Sequence, residues 1–239
     1  MQAEQHVKKH ILQIKPFVIT DLMNLEDEYE QYYKDEMLSD YKHTQSLTQL
    51  TYLHFSKNFE DRLRQASEEI NKMFLKAVEY VLSSDDELKK FNINPRFFNQ
   101  IKESWVKHPP NETYASRLDI GFSLDGKDIK LYEFNSGCCG YVFETSTFQD
   151  RMYKHFVSHD GLNPGREMKD LIVKRWKSIL EKYENKKVYF VVDKSIEERC
   201  VIFCIMTILK QGGVESKMFI EGEGLETRDG YVYDGEDRV

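Results

Sequence analysis

The fifteen residues KLYEFNSGCCGYVFE, positions 130–144, begin with the residue types of a β-strand and then break into a loop. Within the strand, Glu133 and Asn135 are two residues apart, so both side chains leave the same face. A glycine-flanked loop, Ser136–Gly140, follows directly. A strand that only packed against a core would carry apolar groups on that face, so the carboxylate and the amide indicate a binding role.

The residues before this stretch predict the partner strand. Apolar and polar residues alternate from position 117 to 124, as expected of a half-buried strand. Asp125-Gly126 is a hairpin signal, and the second strand is predicted from about Asp128 to Asn135. We therefore predict a β-hairpin with a three-residue loop from Asp125 to Lys127.

This hairpin brings four polar side chains to one face. The predicted register places Asp119 opposite Glu133 and Arg117 opposite Asn135. Two facing carboxylates repel each other unless a positive charge lies between them. Arg117 can supply part of that charge, and Mg²⁺, which prefers carboxylate and amide oxygens, can supply more. The residue spacing alone leaves a second interpretation open, in which an ion pair of arginine with one carboxylate lies at a sheet rim without any ligand.

The chain before the hairpin has mainly helical patterns. Apolar residues recur every three or four positions from Phe59 to Val81, with Asn58 as the expected N-cap. A second helix is predicted from Arg96 to Trp105, and the His-Pro-Pro-Asn run at 108–111 ends it. The tyrosine-rich, acidic stretch from Glu26 to Tyr52 is less regular, and we interpret it as a solvated charged face.

The chain after the hairpin predicts helices at about 146–155 and after Asn163-Pro164, and then a βαβ unit. The unit consists of an apolar strand at 188–192, a helix opened by the capping-box spacing Ser195–Glu198 and closed by Gly212-Gly213, and a strand at 216–220. A short strand is predicted at 231–233. The fold class is α/β, with a mainly helical region at 1–110 and an α/β region at 111–239 that pack as one unit around a mixed sheet.

Composition narrows the function classes. The 239 residues carry a net charge of -7, which argues against a nucleic-acid-binding surface. The sequence contains no apolar run of about 18 residues, so no membrane partner is expected. The N-terminal segment is too polar for a secretory signal, and a cytoplasmic location is the expectation. The sequence predicts no oligomeric state.

The four cysteines do not have the spacing of a disulfide framework or of a zinc site. Cys200 and Cys204 are expected to be small buried residues of a helix. Cys138 and Cys139 lie in the loop after the hairpin, and a thiol-dependent enzyme remains an alternative, although no histidine lies nearby to act as a base.

At these residues the sequence resembles the synthetase part of the glutathionylspermidine synthase family. Family members carry an R-x-D strand, a turn, a strand that ends in E-x-N, and a glutamate nine residues after the asparagine. The same order is found here as Arg117-Leu-Asp119, Glu133-Phe-Asn135 and Glu144. The long helix FEDRLRQASEEINKMFLKAVEYVL, the aromatic segment that ends at Trp105, the YFVVD strand and the final GYVYD also resemble the family, so that the similarity extends from about Tyr52 to the end.

The resemblance implies a pre-ATP-grasp, Rossmann-like architecture that forms part of an incomplete ATP-grasp fold. It implies ATP and Mg²⁺ as cofactors, with Asp119, Glu133 and Asn135 as metal ligands and Arg117 as the catalytic cation that steadies the transferring phosphoryl group. It further implies that Ser136 and Glu144 bind substrate, a glutathione-like acid that is joined to a polyamine-like amine through an acyl phosphate. The family loop A-D-T-P-T-S is replaced here by residues 136–141, SGCCGY, at positions that help to hold glutathione.

Two functions are therefore carried forward. The first is the N-terminal part of an ATP- and Mg²⁺-dependent carboxylate–amine ligase of the glutathionylspermidine synthase type, inactive by itself because the lysine-bearing ATP-grasp part would lie beyond this chain. The alternative is a non-catalytic interaction or scaffold domain that retains the fold.

Overall fold

The computed structural model describes residues 6–24, 26–38, 47–107, 115–136, 140–157, 165 and 167–239. Helices and small sheets alternate along this part of the chain, which confirms the predicted α/β class. The helices are α1 (Glu28–Met37), α2 (Lys57–Leu82), α3 (Asp85–Lys90), α4 (Phe98–Lys107), α5 (Gln149–Phe156), α6 (Met168–Leu180) and α7 (Ile196–Gln211). The strands are β1 (Val7–Phe17), β2 (Leu47–Phe55), β3 (Ser116–Phe122), β4 (Ile129–Ser136), β5 (Val188–Val192), β6 (Ser216–Ile220), β7 (Glu226–Arg228), β8 (Tyr231–Asp234) and β9 (Asp237–Arg238). The predicted stop after α4 and the proline before α6 lie outside the described residues.

The chain divides into two compact units. The first unit comprises Met1–Ile11 and Thr51–Gly137, and the second comprises Leu12–Leu50 and Cys138–Val239. The strands β1 and β2 pair with each other, and each contains residues of both units. No helix of the described chain is long and apolar enough to cross a membrane.

In the first unit, α2 extends over 26 residues and confirms the helix that the periodicity predicts. Its N-cap is Ser56 and not Asn58, because the Ser56 hydroxyl accepts a hydrogen bond from the Phe59 amide at 3.3 Å. The Phe59 side chain is fully buried and forms edge-on contacts with Phe55 and Phe122, at ring-centroid distances of 5.7 and 5.4 Å. These three aromatic rings join α2 to β2 and to the hairpin.

The hairpin of β3 and β4 is antiparallel, as predicted, but its loop is longer than three residues. The strands end at Phe122 and Ile129, and the Ser123 amide donates to the Asp128 carbonyl at 3.1 Å, which leaves a four-residue loop. The register then shifts by one residue after Asp119, where Tyr132 is the extra residue of a β-bulge. The bulge compensates for the longer loop, so that the pairing beyond it is the predicted one.

The second unit contains the predicted βαβ unit. The strands β5 and β6 pair in parallel, with Val188 opposite Ser216 and Val192 opposite Ile220. Ser195 caps α7 by accepting a hydrogen bond from the Glu198 amide at 3.4 Å, and Gly212 ends the helix. The buried face of α7 is formed by Cys200, Ile202, Cys204, Ile205, Ile208 and Leu209. Both cysteines of this helix are reduced and buried, as expected.

The interpretation of residues 26–52 as a solvated charged face is wrong for α1. Asp27 caps this helix by accepting hydrogen bonds from the Tyr29 and Glu30 amides, both at 3.1 Å. Tyr29 and Glu30 are each 4% exposed. The acidic composition hid a helix with one buried face, whose partner α7 is distant in the sequence.

The helix predicted at 146–155 begins earlier and contains an irregular turn. A π-helical turn at Glu144–Phe148 continues directly into α5. Such turns insert one extra residue and often re-aim side chains at functional sites. At the C-terminal end, β8 confirms the short predicted strand and pairs with β7 and β9.

Candidate functional site: an oxygen-rich hairpin

The hairpin brings together the four polar side chains that the sequence singles out. Arg117 pairs with Asn135, and Asp119 pairs with Glu133, in the register predicted from the sequence. Directly opposite residues of an antiparallel pair have Cβ atoms about 4.5–5.5 Å apart and on the same face. The two carboxylates, the amide and the guanidinium therefore form one cluster at the end of the hairpin away from its loop.

Arg117 and Asp119 form a two-point ion pair within β3. The Arg117 Nε atom donates to Asp119 Oδ1 at 2.8 Å, and its Nη2 atom donates to Oδ2 at 3.3 Å. The side chains are 32% and 39% exposed, so solvent screens this pair. Hydrogen bonding from Arg117 holds the pKa of the Asp119 carboxyl below its usual range, against the opposing effect of desolvation, and the Glu133 and Asn135 side chains lower it further.

The two side chains that β4 contributes to the cluster, Glu133 and Asn135, differ in their exposure to solvent. Glu133 is exposed, whereas Asn135 is partly buried. The Asn135 amide lies close enough to Asp119 to affect its pKa, yet its buried Nδ2 atom makes no hydrogen bond of acceptable geometry with the described residues. A buried amide nitrogen without a partner is unusual, since most such groups are hydrogen-bonded.

The bulge at Tyr132 sets which residues face each other. Without it, the four-residue loop would shift Glu133 and Asn135 by one position and turn them to the opposite face. The bulged Tyr132 ring lies over Gly121 on the neighbouring strand. A Cβ atom added at Gly121 would come within 2.4 Å of Tyr132 Cε2, so a larger residue at this position would displace the exposed ring.

The donor set of the hairpin fits a hard divalent cation. Asp119 and Glu133 supply carboxylate oxygens and Asn135 supplies an amide oxygen, which are the ligand types of Mg²⁺. Each Asp119 oxygen accepts one bond from Arg117 and retains a second lone pair. In the described chain no three His, Cys, Asp or Glu side chains converge on one point. The hairpin thus offers two acidic ligands and one amide, and the remaining ligands would come from phosphate or water.

The two predicted substrate-binding residues lie in different units. Ser136 is the last residue of β4, is exposed and pairs with Ser116. Glu144 belongs to the second unit, where it begins the π-helical turn and accepts a hydrogen bond from the Tyr33 hydroxyl at 2.8 Å. Cys138 and Cys139, the residues of the thiol alternative, lie outside the described residues.

Glu144 borders a cavity of about 410 Å³ within the second unit. The side chains around it are mainly apolar and aromatic, with Glu144 and Glu197 as the acidic members: Ile19, Met23, Tyr29, Tyr33, Met37, Leu38, Tyr141, Val142, Phe143, Glu144, Phe148, Glu197, Cys200, Val201 and Cys204. Burial raises the pKa of Tyr33, and the Glu144 charge raises it further. The pKa values of Cys200 and Cys204 are raised to about 11 and about 12, chiefly by burial, so both thiols are protonated near neutral pH.

Sequence reasoning identified Glu144 but missed the tyrosines around it. Tyr33 is 111 residues away from Glu144 in the chain, and no local pattern connects the two. The available signal was Asp27 followed three residues later by Glu30, the spacing of a helix start, which would have placed Tyr29 and Tyr33 on one face of α1.

The mixed α/β architecture is that of a pre-ATP-grasp domain. The chain belongs to the family "Glutathionylspermidine synthase preATP-grasp", whose model matches residues 24–239. It is 24% identical over 177 residues to the glutathionylspermidine synthase of Crithidia fasciculata, a match that covers 71% of this chain and 24% of that protein.

Two further relatives are also matched over most of this chain but over only part of their own length. The bifunctional glutathionylspermidine synthetase/amidase of Escherichia coli (strain K12) is 25% identical over 190 residues, which is 79% of this chain and 30% of that protein. The trypanothione synthetase of Crithidia fasciculata is 20% identical over 219 residues, which is 90% of this chain and 33% of that protein. The chain therefore spans only about a quarter to a third of the curated relatives that it matches.

Proposed function

We propose that this chain is the N-terminal, pre-ATP-grasp part of an ATP- and Mg²⁺-dependent carboxylate–amine ligase. In this proposal Asp119, Glu133 and Asn135 hold Mg²⁺, and Arg117 contacts the transferring phosphoryl group. The observation that carries the proposal is the register of the hairpin, which pairs Asp119 with Glu133 and Arg117 with Asn135 through a compensating bulge. Family membership supports it, because the relatives are named as synthetases of glutathionylspermidine and trypanothione.

The chain's own residues would contribute mainly charge and position. When bound, Mg²⁺ would neutralise charge on the nucleotide phosphates. The Asp119 carboxylate is ionised at neutral pH, and the hydrogen bond from Arg117 lowers its pKa further, so it can bind a cation without first losing a proton. Arg117 is held by its own contact with Asp119, so that its remaining donors have a defined direction.

Ser136 and Glu144 are proposed to contact the substrates. A hydroxyl at the end of β4 can donate to a carboxylate, whereas the Glu144 carboxylate beside the cavity can accept from an amine of a glutathione-like acid or of a polyamine-like partner. None of the described residues that line the cavity is a lysine, an arginine or a histidine. Its charge therefore favours a cationic over an anionic group.

The test is ATP turnover in the longer protein that the proposal requires. We expect ADP release from Mg-ATP to depend on both a glutathione-like acid and an amine, and to fall at least about 100-fold in the Glu133→Gln variant. Glu68→Gln, which removes one exposed carboxylate from α2, is the matched control and should change the rate less than about twofold. Full activity of Glu133→Gln, or no turnover with any acid and amine, would refute the proposal.

A non-catalytic scaffold domain is the second candidate, and one observation favours it. Arg117 and Asp119 satisfy each other in a two-point ion pair that needs no ligand. Calorimetry of the longer protein separates the two functions. Binding of Mg-ATP that Glu133→Gln abolishes supports the ligase, whereas the absence of any nucleotide binding supports the scaffold.

A further inference from the structure

The cavity beside Glu144 has an aromatic wall. The rings of Tyr29, Tyr33 and Phe143 contact one another, with centroid distances of 5.9, 5.1 and 5.0 Å. Phe148 adds a fourth ring, 6.1 Å from that of Phe143. The volume of about 410 Å³ is within the range of small-molecule pockets, which are mostly apolar and contain a few polar groups that orient the ligand. The wall therefore suits a ligand with an apolar body.

The Glu144 carboxylate in this wall lacks a positive partner. Glu144 is half-buried, and in the described part of the chain its side chain receives one hydrogen bond, from the Tyr33 hydroxyl at 2.8 Å. A charge that is partly removed from water is normally paired with an opposite charge. The hydrogen bond fixes the carboxylate at the cavity wall, and its remaining lone pairs can accept from a ligand.

The other titratable groups of the wall add little charge to the interior. Burial raises the pKa of the Tyr29 and Tyr33 phenols and of the Cys200 and Cys204 thiols, so these groups are neutral near pH 7. Glu197 is exposed in the first turn of α7, where the helix dipole favours a negative charge. Among the described lining residues, the interior therefore has one anionic group, that of Glu144.

We propose that this cavity binds a monocation with an apolar body, namely a primary ammonium group on an aromatic or branched aliphatic skeleton. The ammonium group donates to Glu144, and the neighbouring aromatic faces attract it further. The apolar body fills the remaining space. The inference goes beyond the proposed ligase function, because every lining residue belongs to the second unit and binding alone tests it.

Two other classes of ligand fit this wall less well. An anion would lie against the Glu144 carboxylate without a lysine, arginine or histidine among the described lining residues to compensate its charge. A polyamine carries several ammonium groups along one flexible chain. Only one of them can reach Glu144, and the others would lose water against apolar side chains or stay outside the cavity.

Calorimetry of the 239-residue chain with phenethylamine tests the ligand class. Phenethyl alcohol has the same body without the charge, hydrocinnamate carries a negative charge, and spermidine is the polyamine. We expect phenethylamine to bind at least about tenfold more tightly than each of the other three, because a hydrogen bond to a charged group contributes more than one to a neutral group.

A variant at Glu144 tests the assigned carboxylate. Glu144→Gln keeps the size of the side chain and an oxygen for the Tyr33 hydroxyl, but it removes the charge. It should weaken phenethylamine binding at least about tenfold and change phenethyl alcohol binding less than about twofold. Glu221→Gln removes an exposed carboxylate of the second unit that does not line the cavity, and this matched control should leave both affinities unchanged.

Methyl NMR tests the place of binding. Met23 and Met37 both line the cavity, whereas Met73 lies on α2 in the first unit. In a chain labelled at its methionine methyl groups, phenethylamine should shift the Met23 and Met37 signals and leave that of Met73 unchanged. The proposal is overturned by the absence of binding below about 10 mM, by equal affinity for amine and alcohol, or by tighter binding of spermidine or hydrocinnamate. Unchanged binding in Glu144→Gln, or shifts that exclude Met23 and Met37, would overturn it as well.

Discussion

The ion pair between the buried Glu30 and the half-buried Arg151 gives the sharpest stability prediction. Arg151 donates to both Glu30 oxygens, at 2.6 and 2.8 Å, and also to the Leu22 carbonyl at 3.1 Å. The Glu30 side chain is only 5% exposed and keeps one further donor, the Asn24 amide at 2.6 Å. Replacement of Arg151 by methionine therefore leaves a buried carboxylate with a single hydrogen bond.

The expected loss of unfolding free energy follows from the uncompensated charge of Glu30. Removing one partner of a buried pair typically destabilises a protein by about 3–5 kcal/mol, whereas replacing both partners by apolar residues is often close to neutral. We expect Arg151→Met to lower the unfolding free energy of the second unit by that amount. The double variant Glu30→Met/Arg151→Met should be within about 1–2 kcal/mol of the unmodified protein.

Native-state hydrogen exchange is the appropriate assay, because the two units need not unfold together. Exchange rates of the buried α7 amides report the opening free energy of the second unit in each variant. A loss of less than about 1 kcal/mol in Arg151→Met would refute the reasoning. So would a double variant whose loss equals the sum of the two single losses, because the coupling would then be absent.

Three further outcomes are expected. Phe59→Ala should lower the stability of the first unit by about 3–5 kcal/mol, as seen by chemical denaturation, and a loss below about 1 kcal/mol would show that the aromatic contacts are not a core. Ser56→Ala removes the cap of α2 and should cost about 1 kcal/mol, whereas Asn58→Ala should cost less, and the reverse order would contradict the observed cap. The unfolding free energy of the second unit should fall as the pH rises from about 9 towards 11. The reason is that the unfolded chain releases the Cys200 and Cys204 protons at a lower pH than the folded chain does. An unchanged urea midpoint across this pH interval would contradict the raised pKa values.

The sequence predicted those parts of the fold that depend on local patterns. The periodicity from Phe59 to Val81 gave α2, and the apolar run at 188–192 with its capping box gave β5 and α7. The cap of α2 was misplaced by two residues, because Ser56 and Asn58 are both suitable caps and only the folded backbone selects between them.

The register of the hairpin was predicted correctly from an incorrect loop. The loop has four residues instead of three, and the bulge at Tyr132 restores the pairing of Asp119 with Glu133. Turn length and a bulge can offset each other, and the alternation of side chains does not distinguish the combinations. The polar residues at alternate strand positions therefore predicted the register more reliably than the expected loop length did.

The surroundings of Glu144 could not be predicted, because they come from distant segments. The Tyr33 hydroxyl is 111 residues away from Glu144 in the chain. The helix α1 was mistaken for a charged surface because acids are interspersed among its tyrosines. Only the packing of α1 against α7 shows that Tyr29 is buried. Contacts of this kind depend on tertiary structure and leave no periodic trace in the sequence.

Titration of the isotope-labelled chain with Mn²⁺ in the presence of ATP tests the central claim most directly, because a bound paramagnetic ion broadens the NMR signals of nearby amides. The account predicts selective broadening at residues 117–119 and 133–135, which Glu133→Gln removes and Glu68→Gln leaves unchanged. Broadening centred on another acidic surface, or the same broadening in Glu133→Gln, would contradict a cation site on the hairpin.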